Sequence, residues 1–304
     1  LALKPDVTLS IIKNSKDIKG STEKLYYDEN VYRISSGSNS FKEIMQTGLE
    51  CIGDVSSYDV CEVIYLAVKS LELIEENYLL DLSHAGLFSA LLKLSGVENN
   101  IRQAAVRAVA DKNRDAVNVL YNNGDISDTA KDILLKLITD YKCVADLKAN
   151  LNEYLSDENV AACFKDFEDM YNFLMANAEK DKIRIDFSIV SDTGYYSGIV
   201  FKGYIKNIPQ SVLSGGRYDK LMKKMGKTSG AVGFAVYLDM LERHNLSENE
   251  YDYDYLLIKN SSADNSAVIN KVLELSKNGE TVKVAEEIPN GIKYRNLVIF
   301  GEEN

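Results

Sequence analysis

Residues 183–241 read IRIDFSIV (183–190), SDTGYYSGIVFKGY (191–204), SGGRYDKLMKKMG (214–226) and AVGFAVYLDML (231–241). Runs of β-branched and aromatic residues separated by Gly-, Ser- and Asp-bearing turns predict strands. Tyr195 and Tyr196 point to opposite faces, so at most one lines a given pocket. Gly215-Gly216 is backbone that a ligand can approach closely. Tyrosines and glycines in this arrangement suit a pocket for an amino acid. A glycine pair alone is common in turns, so the stretch acquires meaning only with the rest of the chain.

Upstream, TEKLYYDENVYRI (22–34) and FKEIMQTGLECIG (41–53) predict two strands joined by the polar loop SSGSN. Residues 58–75 carry apolar residues at helical spacing, and YLLDLSHAG (78–86) predicts another strand. From Leu87 to about Ala178 the pattern is helical. GLFSALLKLSG closes on a glycine suited to a helix end, and SDTAKDILLKLITDY opens with Ser127 or Asp128 as its cap. After Lys182 strands return through Val236, the helix LDMLERHN follows, and the acidic linker SENEYDYD leads to a β-α-β-β tail. The expectation is an α+β chain of two domains. Residues 1–245 form an antiparallel sheet flanked by helices, interrupted by a helical insertion over 87–178. Residues 251–304 form a small α/β domain.

The chain of 304 residues is 45% apolar and 27% charged, the make-up of an ordinary soluble globular protein. It has no apolar run of the roughly 18 residues that a membrane span needs. Its start, LALKPD, lacks the features of a signal peptide, and opening on Leu1 suggests that upstream sequence is missing. The net charge of −11 argues against nucleic-acid and anionic-membrane partners, which require a cationic surface. The tail adds no basic surface, with six Lys and Arg against eight acidic residues over 253–304. Cys51, Cys61, Cys143 and Cys163 show no CxxC spacing, and His84 and His244 are the only imidazoles. The cysteines therefore read as core residues of a protein from a reducing cytoplasm, with no metal site.

Two further constellations could hold a ligand. Asp6 and Thr8 stand two apart in KPDVT, facing one side of an extended segment and able to grip an ammonium group; the alternative is a turn with an Asp cap. Gln46 and Glu50 share a face of a strand in QTGLE, with Gly48 between them leaving room for a ligand. A buried carboxylate must be paired or hydrogen-bonded, so this pair suits an ammonium and a ring nitrogen. The alternative is an exposed pair on an edge strand.

Taken in order, LALKPDVT, the strand ending VYR, QTGLECIG, YYSGIVFKGY, SGGRYDKL and AVGFAVYLDML resemble the catalytic domain of histidyl-tRNA synthetase and its non-catalytic relatives, the regulatory subunits of two-component ATP phosphoribosyltransferase. The resemblance spans roughly residues 1–245. It implies a class II synthetase-like antiparallel sheet, with the family's dimer-forming first motif lying upstream of Leu1. It also implies that Asp6, Thr8, Gln46, Glu50, Tyr195, Tyr196 and Tyr218 occupy histidine-binding positions, with Lys4 in place of the usual arginine beside Asp6.

Catalytic positions depart from the synthetase pattern. Arg33 remains, but Ser35, Ser191 and Met240 replace an acidic residue and two arginines that assist adenylate formation. Preorganised cations are the main means of stabilising phosphate charge in a transition state, each worth on the order of 10²–10³ in rate. The resemblance thus implies no enzyme and no cofactor. It implies a regulatory subunit that assembles with itself as a dimer and with the short-form catalytic subunit, and that transmits feedback inhibition by histidine. The alternatives are a divergent histidyl-tRNA synthetase, which would need ATP, magnesium and tRNA, and a free-standing histidine-binding module.

Overall fold

The computed structural model describes residues 3–4, 6–17, 20–34, 40–190, 195–245, 251–260 and 263–300. A hairpin of two long strands, β1 (Thr22–Ile34) and β2 (Phe41–Gly53), pairs antiparallel along its full length. With β3 (Tyr78–His84), β4 (Ile183–Ile185), β5 (Ile199–Ile205), β6 (Leu213–Arg217) and β7 (Gly230–Tyr237) it builds a seven-stranded sheet in the order β1-β2-β7-β6-β5-β3-β4. Every neighbouring pair is antiparallel except β3 and β4.

That exception corrects the sequence reading of IRIDFSIV as a strand over 183–190. Only three residues pair, and they run parallel to β3. Asp186 ends the strand because its carboxylate accepts the Ser188 amide at 2.8 Å and starts a short 3-10 turn, Phe187–Ile189. What anchors the short strand is charge. Asp81, buried in the middle of β3, takes two bonds from the Arg184 guanidinium at 2.7 and 2.8 Å. Burial pushes the Asp81 carboxyl up, and the arginine opposes that shift.

Alternation along β2 divides the core between the two faces of the sheet. Cys51 joins the main core on one face, and Ile52 joins a smaller cluster with Ile12, Met222 and Ala231 on the other. The main face is crossed by α2 (Ser57–Ile74), which opens with a capping box in which Ser56 and Asp59 satisfy each other's backbone amides. Its residues Val60, Val63, Ile64, Ala67, Val68 and Leu71 form one fully buried stripe. Leu71 lies so close over β5 that a Cβ on Gly203 would fall 2.7 Å from its Cδ1.

The helical block begins with α3 (Ala85–Leu94) and ends with α8 (Glu158–Asn177). Between them run α4 (Asn99–Ala110), α5 (Arg114–Asn122), α6 (Asp128–Ile138) and α7 (Val144–Leu151). Gly96 follows α3 at φ +70°, a conformation that glycine adopts without strain, and Ser127 is the cap of α6. His84 also caps: its Nδ1 accepts the Leu87 amide at 2.9 Å while Nε2 donates to Asp166 at 3.0 Å. Cys51 is buried, and the other three cysteines are half-buried against the core rather than fully buried as the sequence suggested. Among the described residues no helix is long and apolar enough to cross a membrane.

The chain divides into two compact units, Leu1–Leu241 and Glu242–Asn304, and the division falls inside α10 (Leu238–Asn245). The second unit has a parallel three-stranded sheet, with β8 (Tyr253–Lys259) between β10 (Tyr294–Phe300) and β9 (Val282–Ala285). Its helix α11 (Asn265–Leu275) is capped by Asp264.

Leu71→Ala removes a fully buried side chain at the contact between α2 and the sheet. It should cost about 2–5 kcal/mol in equilibrium urea unfolding. A loss below about 1 kcal/mol would show that α2 is not the element closing this face.

Candidate ligand-binding site

The smaller face of the sheet is stripped of side chains where β2, β7 and β6 meet. Glu50 pairs with Gly233, Gly48 with Ala235, and Gly233 with Gly216. Above these positions lies a cavity of about 200 Å³, lined by Asp6, Thr8, Gln46, Glu50, Tyr195, Tyr196 and Tyr218, with Arg33 at the exposed end of β1. All seven residues grouped from the sequence as ligand-binding therefore meet at one place. The volume suits one small molecule and is below the roughly 300–1,000 Å³ of pockets for drug-sized ligands.

Asp6 and Thr8 reach the cavity by a route the sequence reading missed. They are on a helix start, not an extended segment. Asp6 caps α1 (Val7–Asn14) by accepting the Leu9 amide at 2.9 Å, and Thr8 sits in the first turn. The cap and the site are the same residue. The preceding chain is tied to the sheet edge, where the Tyr32 amide donates to the Lys4 carbonyl at 2.9 Å. Lys4 itself pairs with Glu29 at 2.7 Å.

Glu50 is the centre of the site. It is 2% exposed, yet among the described residues no lysine or arginine pairs with it. Thr8 Oγ1 donates to its Oε1 at 2.5 Å, and the Tyr218 hydroxyl donates to Oε2. Its seat exists because residue 233 is glycine: a Cβ there would fall 1.8 Å from Glu50 Oε2. Burial raises the carboxyl to about 7; the Thr8 and Tyr218 hydrogen bonds hold it down, and the charge of Asp6 adds to the rise. The phenols of Tyr27, Tyr195 and Tyr218 are all pushed up, first by burial.

Two buried polar atoms in the wall, Gln46 Oε1 and the Tyr27 hydroxyl, have no hydrogen-bond partner among the described residues. Buried polar atoms without partners are rare in folded proteins. A carbonyl oxygen, a hydroxyl and two carboxyl groups facing one small space call for a ligand rich in N–H donors and positive charge.

Two of the glycines have a different purpose from the one expected. A Cβ on Gly48 would meet the Tyr27 ring at 2.5 Å, one on Gly216 would meet the Tyr196 ring at 2.8 Å, and one on Gly215 would meet Phe201 on the other face. Gly48 and Gly216 make space for the protein's own aromatic rings, whereas Gly215 keeps its expected place as backbone lining the cavity. Tyr195 and Tyr196 likewise depart from the strand alternation predicted for them. They precede β5 in a loop, both line the cavity, and their rings meet edge to face at 4.7 Å. The loop is pinned by the Ser197 amide to the Arg217 carbonyl at 2.8 Å and by the Asp219 amide to Ser197 Oγ at 3.0 Å.

Tyr27, Ser214 and Tyr237 line the cavity without having been expected there. An aromatic residue directly opposite a glycine on a paired strand was the available signal for Tyr27. Of the four positions read as degenerate catalytic residues, only Arg33 lines the cavity; Met240 is half-buried against the main core. Ser35 and Ser191 lie outside the described residues.

A family profile described as Histidyl-tRNA synthetase matches residues 1–241, and the chain belongs to that family. A curated relative from Clostridium acetobutylicum, named ATP phosphoribosyltransferase regulatory subunit, is 26% identical over 295 residues, covering 94% of this chain and 72% of the relative. A Bacillus halodurans structure described as an ATP phosphoribosyltransferase regulatory subunit/histidyl-tRNA synthetase superposes with a TM-score of 0.68 at 22% identity, covering 97% and 79% of the two chains. An ATP phosphoribosyl transferase (HisG:HisZ) complex from Thermotoga maritima matches with a TM-score of 0.60 at 20% identity, over 78% of this chain and 81% of that chain. At these identities the structures show the shared class II synthetase-like fold.

The shifted carboxyl makes stability depend on pH. The unfolded chain loses the Glu50 proton near its ordinary value of 4.5 and the folded chain keeps it to about 7. The folded state therefore binds more protons in that window, and stability falls as pH rises through it, by at most about 1.4 kcal/mol per pH unit. Glu50→Gln should flatten the fall in melting temperature between pH 5 and pH 8; identical pH profiles for the variant and the parent would contradict the burial of an unpaired carboxyl. Gly233→Ala should displace the same carboxyl, and it should lower stability by about 1–3 kcal/mol, the cost of overpacking.

Proposed function

We propose that this chain is a non-catalytic regulatory subunit of ATP phosphoribosyltransferase, which partners a short-form catalytic subunit and relays feedback inhibition by histidine in the first step of histidine biosynthesis. The observation that carries the reading is an acidic cavity for one small molecule in a chain that matches, over 94% of its length, a relative named as that regulatory subunit. Histidine brings what the wall lacks. Its ammonium group answers Glu50 and Asp6, and its ring N–H answers an unpartnered acceptor such as Gln46 Oε1. The same wall is a poor host for a triphosphate, because Arg33 is the only basic side chain among its described lining residues.

In this reading Ser35, Ser191 and Met240 are positions where adenylate chemistry was lost, and the protein acts in the cytoplasm as a dimer joined to the catalytic subunit. Histidine shifts the assembly only by its differential affinity for two arrangements, which in allosteric proteins corresponds to factors of about 5–150.

The test is reconstitution. Adding the protein to a short-form catalytic subunit should raise phosphoribosyl transfer, and histidine should suppress the gain by a factor within that range. A catalytic subunit indifferent to the protein would overturn the proposal. Histidine-dependent pyrophosphate exchange by the protein alone would place it with the synthetases instead.

A further inference from the structure

Among the described residues the groups that face Glu50 come from several separate elements and none is a paired cation; Arg33 lines the same cavity from the exposed end of β1. Asp6 and Thr8 approach from the start of α1, Tyr27 from β1, Tyr195 from the loop before β5, and Tyr218 from the residue before α9 (Asp219–Lys224). Gly233 closes the floor. Among the described residues this carboxyl receives two hydroxyl donors, and Asp6 is a second acid beside it. An isolated buried charge is unfavourable enough that a group in such a place neutralises itself.

A proton satisfies the empty pocket better than a charge does. Carried on Glu50 Oε1, it donates to Thr8 Oγ1, and the Thr8 hydroxyl is freed to turn toward the Tyr27 hydroxyl beside it, which otherwise has no partner. A cation entering the cavity removes the reason for that proton. From these contacts we infer that the site works by exchange: the Glu50 carboxyl is protonated while the pocket is empty, and the arriving ligand's ammonium group displaces the proton to solvent and takes its place beside the carboxylate.

This rests on the reading of the pocket as a site for histidine and adds a regulatory property to it. Ligand affinity becomes a function of pH near neutrality, because below the Glu50 titration each binding event must first expel a proton. With the carboxyl titrating at about 7, affinity should rise about tenfold between pH 6 and pH 8 from this group alone. The imidazole of histidine also titrates in this interval, near 6.5, so the signature is the difference between the parent protein and a variant without the acid.

The exchange is tested by calorimetric titration of the full chain with histidine in phosphate and in Tris, from pH 6 to pH 8. Binding should release roughly half a proton near pH 7 beyond what the ligand's own ring accounts for. Glu50→Gln should remove that release and the matching pH dependence. Difference infrared spectroscopy supplies a second reading that needs no binding by the variant. The empty parent protein at pH 6 should show a protonated-carboxyl band that fades as pH is raised toward 8, fades on adding histidine, and is missing from Glu50→Gln. Histidine binding without proton release, or an empty protein lacking the band, overturns the exchange and leaves the histidine reading standing. A titrating band in a protein that never binds histidine supports the protonated empty pocket and removes histidine as its ligand.

Discussion

A buried carboxyl with which, among the described residues, no lysine or arginine pairs organises this molecule. Glu50 stands on β2, between the edge strand β1 and β7, and the two hydroxyls that bind it come from residues 42 positions before it and 168 after it. Helix α1, strand β2 and the turn into α9 are thereby held to one point. Thr8 and Tyr218 bind this buried carboxyl from two distant parts of the sequence, so one side chain fixes the geometry of three separate elements. The neighbouring glycines follow from it. Gly233 gives the carboxyl its seat, and Gly48 and Gly216 give seats to the rings that fence it in.

Much of this was legible in the sequence, and what was not has local causes. The hairpin of β1 and β2 follows from alternating and β-branched residues on both sides of a polar loop, and its observed ends coincide with the predicted ones. The start of α1 was hidden because VTLSIIKN is β-branched and only eight residues long, so its cap did not stand out from a turn. The sequence offered both a cap and a ligand contact for Asp6 as rivals, and the fold places the capping side chain in the wall of the cavity. IRIDFSIV looked like a full strand because its apolar pattern continues past Asp186, but one carboxylate turning back onto the backbone ends the pairing. The tyrosine pair was misjudged for the opposite reason. Strand periodicity was applied to residues held in a loop by Ser197 and Asp219.

The candidate site was found in the sequence as isolated pairs, and only the order of motifs joined them. Nothing in the spacing of Asp6, Gln46 and Tyr218 shows that they converge, because convergence depends on strand order, which places β2 beside β7 and not beside β3. The roles of the glycines were likewise out of reach, since bare backbone under a ligand and bare backbone under a neighbouring ring look alike in a sequence. The family assignment accounts for the frame of the pocket, and the protein's own contacts account for its electrostatic character.

The attachment of α1 carries a consequence of its own. The helix meets the rest of the unit through a few apolar residues, the Lys4 carbonyl and the bond from Thr8 at its start, and through Lys227 on the Ser15 carbonyl and Asp17 on Thr228 and Ser229 at its end. A molecule filling the cavity would contact the first turn of α1 and the far side of the sheet at once. By reciprocity, whatever resists detachment of α1 also favours the occupant. Helix α1 would then report on the occupancy of the pocket, and its susceptibility to a protease would measure how full the pocket is.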